Sequence, residues 1–199
     1  ACNHTSNLDI VVLDCCRIKR PYVLAKHTLF KNKFLNWVFR HLGGIPVNRQ
    51  DLSTSTVRET IKVLNEENHL ILFPEGTTTS GRNILKFGKG AFYANLPVKP
   101  IIINIFQDSP LHLAVGSSDL FLNFFRSCSY LYHNIYHVEL PIIRPTAYMY
   151  KHNADLGEEK WEVFAEVVRR IYCEVGGFIS SDKSLRDSGK LEFEDKKEN

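Results

Sequence analysis

The chain has 199 residues, 44% of them apolar, and a formal charge of +3. That length suits one domain with a sizeable core. The apolar content excludes a mainly disordered chain, and so small a charge gives no ground for a nucleic-acid partner. The five cysteines are odd in number, show no CxxC spacing and sit mostly in apolar runs. They read as reduced core thiols in a cytosol-facing domain. No run of about 18 apolar residues reads as a membrane span, and no signal peptide is visible. His4 lies so near the first residue that its supporting strand is cut short. The chain therefore reads as an excerpt whose upstream part is missing.

In chain order, Asn3-His4 ends a strand, and Leu8 to Cys16 forms a short buried helix capped by Asn7 or Asp9. Pro21 to Ala25 is a second strand, with Lys26 just past its end. Phe34, Leu35, Val38, Phe39 and Leu42 recur at helical spacing, and Gly43-Gly44 end that helix. Ile45 to Val47 is a short extended piece leading to Arg49. Asp51 or Ser53 caps a helix with Val57, Ile61 and Leu64 on its inner face. Leu70 to Phe73 is a buried strand that Pro74 stops, because proline has no backbone N–H. Ala91 to Leu96 reads as a short helix, and Val98 to Phe106 as a strand buried on both faces.

This alternation predicts an α/β fold, with a mixed, largely parallel central sheet flanked by helices. Further on, Leu120 to Tyr132 forms an aromatic helical stripe, read either as core or as an interfacial membrane helix. Tyr136 to Ile143 alternates loosely as another strand. Trp161, Phe164, Ala165, Val168, Ile171, Tyr172 and Val175 make an amphipathic helix that Gly176-Gly177 end. The expected organisation is one domain over 1–179 and a disordered polar tail over 180–199.

Three stretches carry chemistry. In NHTSNLD, His4 and Asp9 stand around a helix start, where a carboxylate can hold an imidazole in one tautomer. The other ring nitrogen is then free to take a proton from a bound hydroxyl. In FPEGTTTSGR, Glu75 and Gly76 follow the end of a core strand, where open α/β sheets place ligands. Hydroxyls from Thr77 onward, then Arg82, Lys86 and Lys89, suit an anionic ligand such as phosphate. In GIPVNR, Arg49 follows a tight turn and a short extended piece. No GxSxG nucleophile elbow appears, so the nucleophile is a substrate hydroxyl and no covalent enzyme intermediate is needed. The eight histidines show no HExxH or clustered ligand pattern, so no metal is expected.

Together these blocks resemble the glycerolipid acyltransferases, the family of lysophosphatidic acid and lysophospholipid acyltransferases. The His-x4-Asp motif is matched by His4 and Asp9, the Arg-ending block by Arg49, Phe-Pro-Glu-Gly by Phe73 to Gly76, and the hydrophobic-Pro-hydrophobic strand by Val98 to Ile102. The resemblance implies an acyl-CoA-dependent O-acyltransferase acting on a lysophospholipid. His4 would be the base and Asp9 its orienter. Lys26, Arg49, Glu75, Gly76, Thr77 and Arg82 would bind substrate, the cations on the phosphate. Glu75 has two open roles: binding the acceptor hydroxyl, or pairing with an Arg to hold its loop. The sequence departs from a common family pattern in having Thr78 where Arg often follows Phe-Pro-Glu-Gly-Thr. That makes lysophosphatidic acid one acceptor among several and points to the branch that acylates lysophospholipids broadly. The alternatives are a CoA-independent transacylase, a hydrolase or thioesterase, and a non-catalytic lipid-binding module. Acyl-CoA enters as co-substrate and no cofactor is implied. The resemblance also implies a membrane surface as partner, at the endoplasmic reticulum or lipid droplet, and leaves the oligomeric state open.

Overall fold

The computed structural model describes residues 1–6, 9–15, 22–47, 61–63, 69–79, 81–106, 125, 129 and 134–184. It is mixed α/β. Helix α1 (Asp9–Cys15) is followed by strand β1 (Tyr22–Lys26), a 3₁₀ turn at His27–Lys31, helix α2 (Lys33–His41) and β2 (Gly44–Val47). Then come β3 (Leu70–Ile71), β4 (Asn83–Ile84), β5 (Ile101–Phe106) and β6 (Asn134–Glu139). Helices α3 (Ala147–His152) and α4 (Lys160–Gly176) and strand β7 (Ile179–Ser180) follow.

Strands β2, β1 and β3 pair in parallel in that order, while β5 and β6 pair antiparallel. The first two residues join the two sets. The Cys2 N–H donates to the Leu72 carbonyl at 2.9 Å, and the Ile101 N–H donates to the Ala1 carbonyl at 2.8 Å. Tyr172 of α4 locks this junction. Its hydroxyl donates to the Ala1 carbonyl at 2.6 Å and accepts the Ile101 N–H at 3.2 Å. The hydrogen bonds thus run unbroken from β2 to β6 through Ala1–Cys2.

The strand β5 feeds both faces, as a near-continuous apolar strand should. Ile102 packs with Phe92, Phe164, Val168 and Tyr172 under α4. Ile101 and Ile103 pack with Leu13, Val23 and Ile71 on the α1 side. The amphipathic reading of α4 holds, and Gly177 ends it in the left-handed region at φ 67°. Helix α2 begins on Asn32, whose side chain accepts the N–H groups of Phe34 and Leu35. Gly43 turns the chain at φ 72°. Gly44 is the first residue of β2 rather than part of the helix stop, and a Cβ there would meet the Phe39 carbonyl oxygen at 2.7 Å.

Several expectations need correction. Ile61 is exposed and Val63 is buried, so that helix turns Val63 inward; Val57 and Leu64 lie outside the described residues. Ala91 to Leu96 is not a helix. A single 3₁₀ turn at Lys89–Ala91 gives way to turns, and Asn95 takes φ 50°. A six-residue segment ending at Pro97 is too short to repay helix nucleation, and the residue before proline avoids the helical region. The ladder of β3 stops at Ile71, and β6 begins two residues earlier and ends four residues sooner than expected. The boundary placed at 179/180 falls inside β7, which pairs in parallel with β4. The described residues continue to Ser184. Of the stripe at Leu120 to Tyr132, only Phe125 and Ser129 are described. Among the described residues, no helix is long and apolar enough to cross a membrane.

Candidate active site

His4 and Asp9 meet at the carboxyl end of the parallel strands. The His4 Nδ1 lies 2.9 Å from Asp9 Oδ2. Asp9 is fully buried. Its Oδ2 also accepts the N–H groups of Thr5 at 2.7 Å and Ser6 at 3.0 Å, and its Oδ1 accepts the Thr5 hydroxyl at 3.1 Å. Asp9 is therefore not a cap for α1. It is the first helical residue, and its side chain turns back over the loop that carries His4. A carboxylate accepting from these donors is an acceptor toward the imidazole as well, so the His4 proton sits on Nδ1 and Nε2 is left as a lone-pair site. Among the described residues Nε2 has no protein partner, and the side chain keeps 13% of its surface exposed.

The loop after β3 fixes the rest of His4. Its ring stacks on Phe73, with centroids 4.1 Å apart and planes 20° from parallel. Its carbonyl accepts the Thr79 N–H at 2.9 Å and the Thr79 hydroxyl at 3.4 Å. Its N–H donates to Glu75 Oε1 at 3.0 Å, while Oε2 of the same carboxyl accepts the Leu85 N–H at 3.1 Å. Glu75 is 1% exposed. Burial pushes its carboxyl up to about 7; the N–H groups of His4 and Leu85 oppose that shift and the nearby Asp9 charge adds to it. Among the described residues neither role expected for Glu75 has its partner in place, and Arg49 lies outside them. A carboxyl closed off from solvent and held by two backbone N–H groups is no receptor for a substrate hydroxyl, and no Arg pairs with it among the described residues. It is a positioning residue that ties the His4 backbone to the segment after β4.

The other candidates are less closely gathered. Gly76 takes φ 73° and returns its N–H to the Phe73 carbonyl at 3.0 Å, which makes the turn that carries Glu75. Thr77 is half-buried in the same loop. Arg82 is exposed, and its carbonyl accepts the Ile179 N–H at 2.9 Å. Lys26 closes β1 at the same end of the sheet as His4, but its side chain lies outside the described atoms. Arg49 lies outside the described residues. Among the described residues no group of three or more His, Cys, Asp or Glu could hold a metal.

Sequence reasoning missed Asn3. Its side-chain amide donates to the Ile103 carbonyl at 2.8 Å and accepts the Ile103 N–H at 2.7 Å, while the residue is 2% exposed. Both polar groups of a β5 residue are thereby satisfied by one side chain, which anchors the segment one residue before His4. The available signal was a buried-type context, with Asn3 flanked by Cys2 in an otherwise strand-like start.

Known proteins share both the sequence pattern and the fold of this chain. A family model described as Acyltransferase matches residues 1–104, more than half of the chain. A lysophospholipid acyltransferase of Arabidopsis thaliana is 28% identical over 200 residues, covering 93% of this chain and 46% of that protein. A 1-acyl-sn-glycerol-3-phosphate acyltransferase of Bacillus subtilis is 33% identical over 91 residues, covering 44% of this chain and 45% of that protein. The chain spans less than half the length of these two relatives. In fold it is similar to the 1-acyl-sn-glycerophosphate (LPA) acyltransferase of Thermotoga maritima, with a TM-score of 0.54 at 22% identity over 90% of this chain and 66% of that one. The chain belongs to the acyltransferase family.

Proposed function

We propose that this chain is the catalytic part of an acyl-CoA-dependent O-acyltransferase that esterifies the free hydroxyl of a lysophospholipid. The observation that carries the proposal is the His4–Asp9 pair, with Nδ1 bound to a buried carboxylate and Nε2, on a partly exposed ring, without a protein partner among the described residues. In the reaction, Nε2 takes the proton of the acceptor hydroxyl as that oxygen attacks the thioester carbonyl. The new C–O bond forms, the C–S bond breaks, and the proton passes from the imidazolium to the departing thiolate, giving phospholipid and CoA. Asp9 stabilises the imidazolium between the two transfers. Help of this kind contributes about 10²–10⁴-fold.

The printed names of the relatives support a lysophospholipid as the acceptor class. Lys26, Arg49 and Arg82 are the proposed phosphate contacts. We place the reaction on a membrane surface, with the endoplasmic reticulum or lipid droplet as proposed location. The test is release of free thiol from an acyl-CoA with and without a panel of lysophospholipids. Release that depends on one of the acceptors supports the proposal. Release without acceptor identifies a hydrolase. Acyl exchange between phospholipids without thiol identifies a transacylase, and binding with neither reaction identifies a lipid-binding module.

A further inference from the structure

Helix α2 turns two large aromatic side chains to solvent. Phe34 is 66% exposed and Trp37 is 59% exposed. Three residues apart, they share one face, while Phe39 on the opposite side is buried. Lys31, Lys33 and Arg40 stand around that face, all exposed. Among the described residues none of the three pairs with a carboxylate. The Arg40 Nε donates to the Asn36 Oδ1 at 3.2 Å, and its guanidinium lies 6.0 Å from the Phe30 ring centre.

The charge bias reaches well beyond the helix. From Cys15 to Gln50 the sequence has eight Lys and Arg and no Asp or Glu, whereas the rest has 17 Lys and Arg against 22 Asp and Glu. The first turn of α2 contains no acid and opens on Lys33. The helix dipole disfavours cations there, so these lysines are not placed for the stability of the helix. Single exposed apolar residues are ordinary on a protein surface. Two adjacent aromatics inside an acid-free, cation-rimmed stretch are the pattern of an interfacial helix.

Topology gives the face its position. β1 and β3 run parallel, and the chain from Cys2 to His4 runs alongside Leu72 and Phe73 in the same direction. The carboxyl end of β1 therefore lies at the same sheet edge as His4. The 3₁₀ turn and the first turn of α2 follow directly from that end. A surface that received Phe34 and Trp37 would face the edge on which the His4 ring opens.

We propose that the Phe34–Trp37 face of α2 docks on an anionic phospholipid surface. Its two aromatics enter the boundary between headgroups and acyl chains, and Lys31, Lys33 and Arg40 lie against lipid phosphates. This rests on the membrane-surface placement proposed above and deepens it by naming the docking face, whose residues are distinct from those nominated for acyl transfer.

The test is tryptophan emission of the purified protein with vesicles of phosphatidylcholine carrying brominated acyl chains, with and without phosphatidylserine. Anionic vesicles quench the emission, and Trp37→Phe loses that quenching. The triple variant Lys31→Gln, Lys33→Gln, Arg40→Gln partitions about 100-fold more weakly, at about fivefold for each cation. The double variant Phe34→Ala, Trp37→Ala keeps its far-ultraviolet circular dichroism. It also keeps its turnover of a monomeric short-chain acceptor, and loses turnover on vesicles. Quenching that survives in Trp37→Phe, or partition unchanged in the triple variant, overturns the proposal. Self-association without vesicles that the double variant abolishes also overturns it, because a second copy then covers the face. Loss of the monomeric reaction in unmodified protein instead counts against the acyl-transfer reading alone.

Discussion

Replacing Glu75 with Gln separates two effects that the structure places on one side chain. The carboxyl is 1% exposed and receives the N–H groups of His4 and Leu85, one on each oxygen. Its pKa rises from 4.5 to about 7 on folding. The native state therefore holds this proton over a range in which the unfolded chain has released it. The stabilising contribution is complete below about pH 4.5 and is lost as pH rises toward about 7. At about 1.4 kcal/mol per pKa unit, the loss is about 3 kcal/mol. Glutamine does not titrate, so Glu75→Gln removes this dependence. It keeps one acceptor oxygen and turns an NH₂ group toward the second backbone N–H, which costs about 1–3 kcal/mol at every pH.

The variant is thus clearly less stable than the parent at the acid end of the window, and the deficit closes or reverses at the neutral end. Urea denaturation of both proteins at several pH values reads the difference directly. A difference that stays constant across the window would refute the reasoning, because Glu75 would then carry no folding-linked proton. Activity gives a second reading. The lost bond frees either the His4 N–H or the Leu85 N–H, and a displaced imidazole lowers kcat by up to about 10²-fold.

Other substitutions probe the supports around the site. Asn3→Ala leaves the buried N–H and carbonyl of Ile103 without their partner, and thermal or urea unfolding should show a loss of about 2–5 kcal/mol. Gly44→Ala forces a methyl group to within 2.7 Å of the Phe39 carbonyl oxygen; a loss of about 1–3 kcal/mol is expected, and unchanged stability would show that the α2–β2 corner yields freely. Tyr172→Phe strips the Ala1 carbonyl and the Ile101 N–H of their shared hydroxyl. It should cost about 1–3 kcal/mol and speed amide exchange at Ile101, while a mutation remote from the junction should not.

The parts of this protein that were legible in the sequence are those whose signal is local. The His4–Asp9 pair spans five residues across one helix start, so its spacing alone suggests a hydrogen bond. The helix α4 carries its apolar stripe over 17 residues and ends on a left-handed glycine. Glu75 was illegible because its partners come from 71 and 10 residues away. Nothing in FPEGT says whether the carboxyl points outward to a substrate or inward to the backbone. The pairing of β4 with β7 was hidden for a related reason. Each strand is two residues long, too short to show any period, and they meet across nearly 100 residues of chain. Of the exposed aromatics of α2, the apolar stripe read from the sequence counts Phe34 and does not single out Trp37; spacing counts Phe34 and Phe39 alike, and only the packed structure separates the solvent face from the core.

The most direct test of the central claim is lysophospholipid-dependent release of CoA by the protein and by its His4→Ala variant, at equal folded concentration and with the same vesicles. The account predicts a rate lower by at least about 10²–10⁴-fold in the variant, with its unfolding midpoint little changed because the backbone bonds of His4 to Glu75 and Thr79 remain. A folded variant that releases CoA at close to the parent rate would contradict the assignment of His4 as the base.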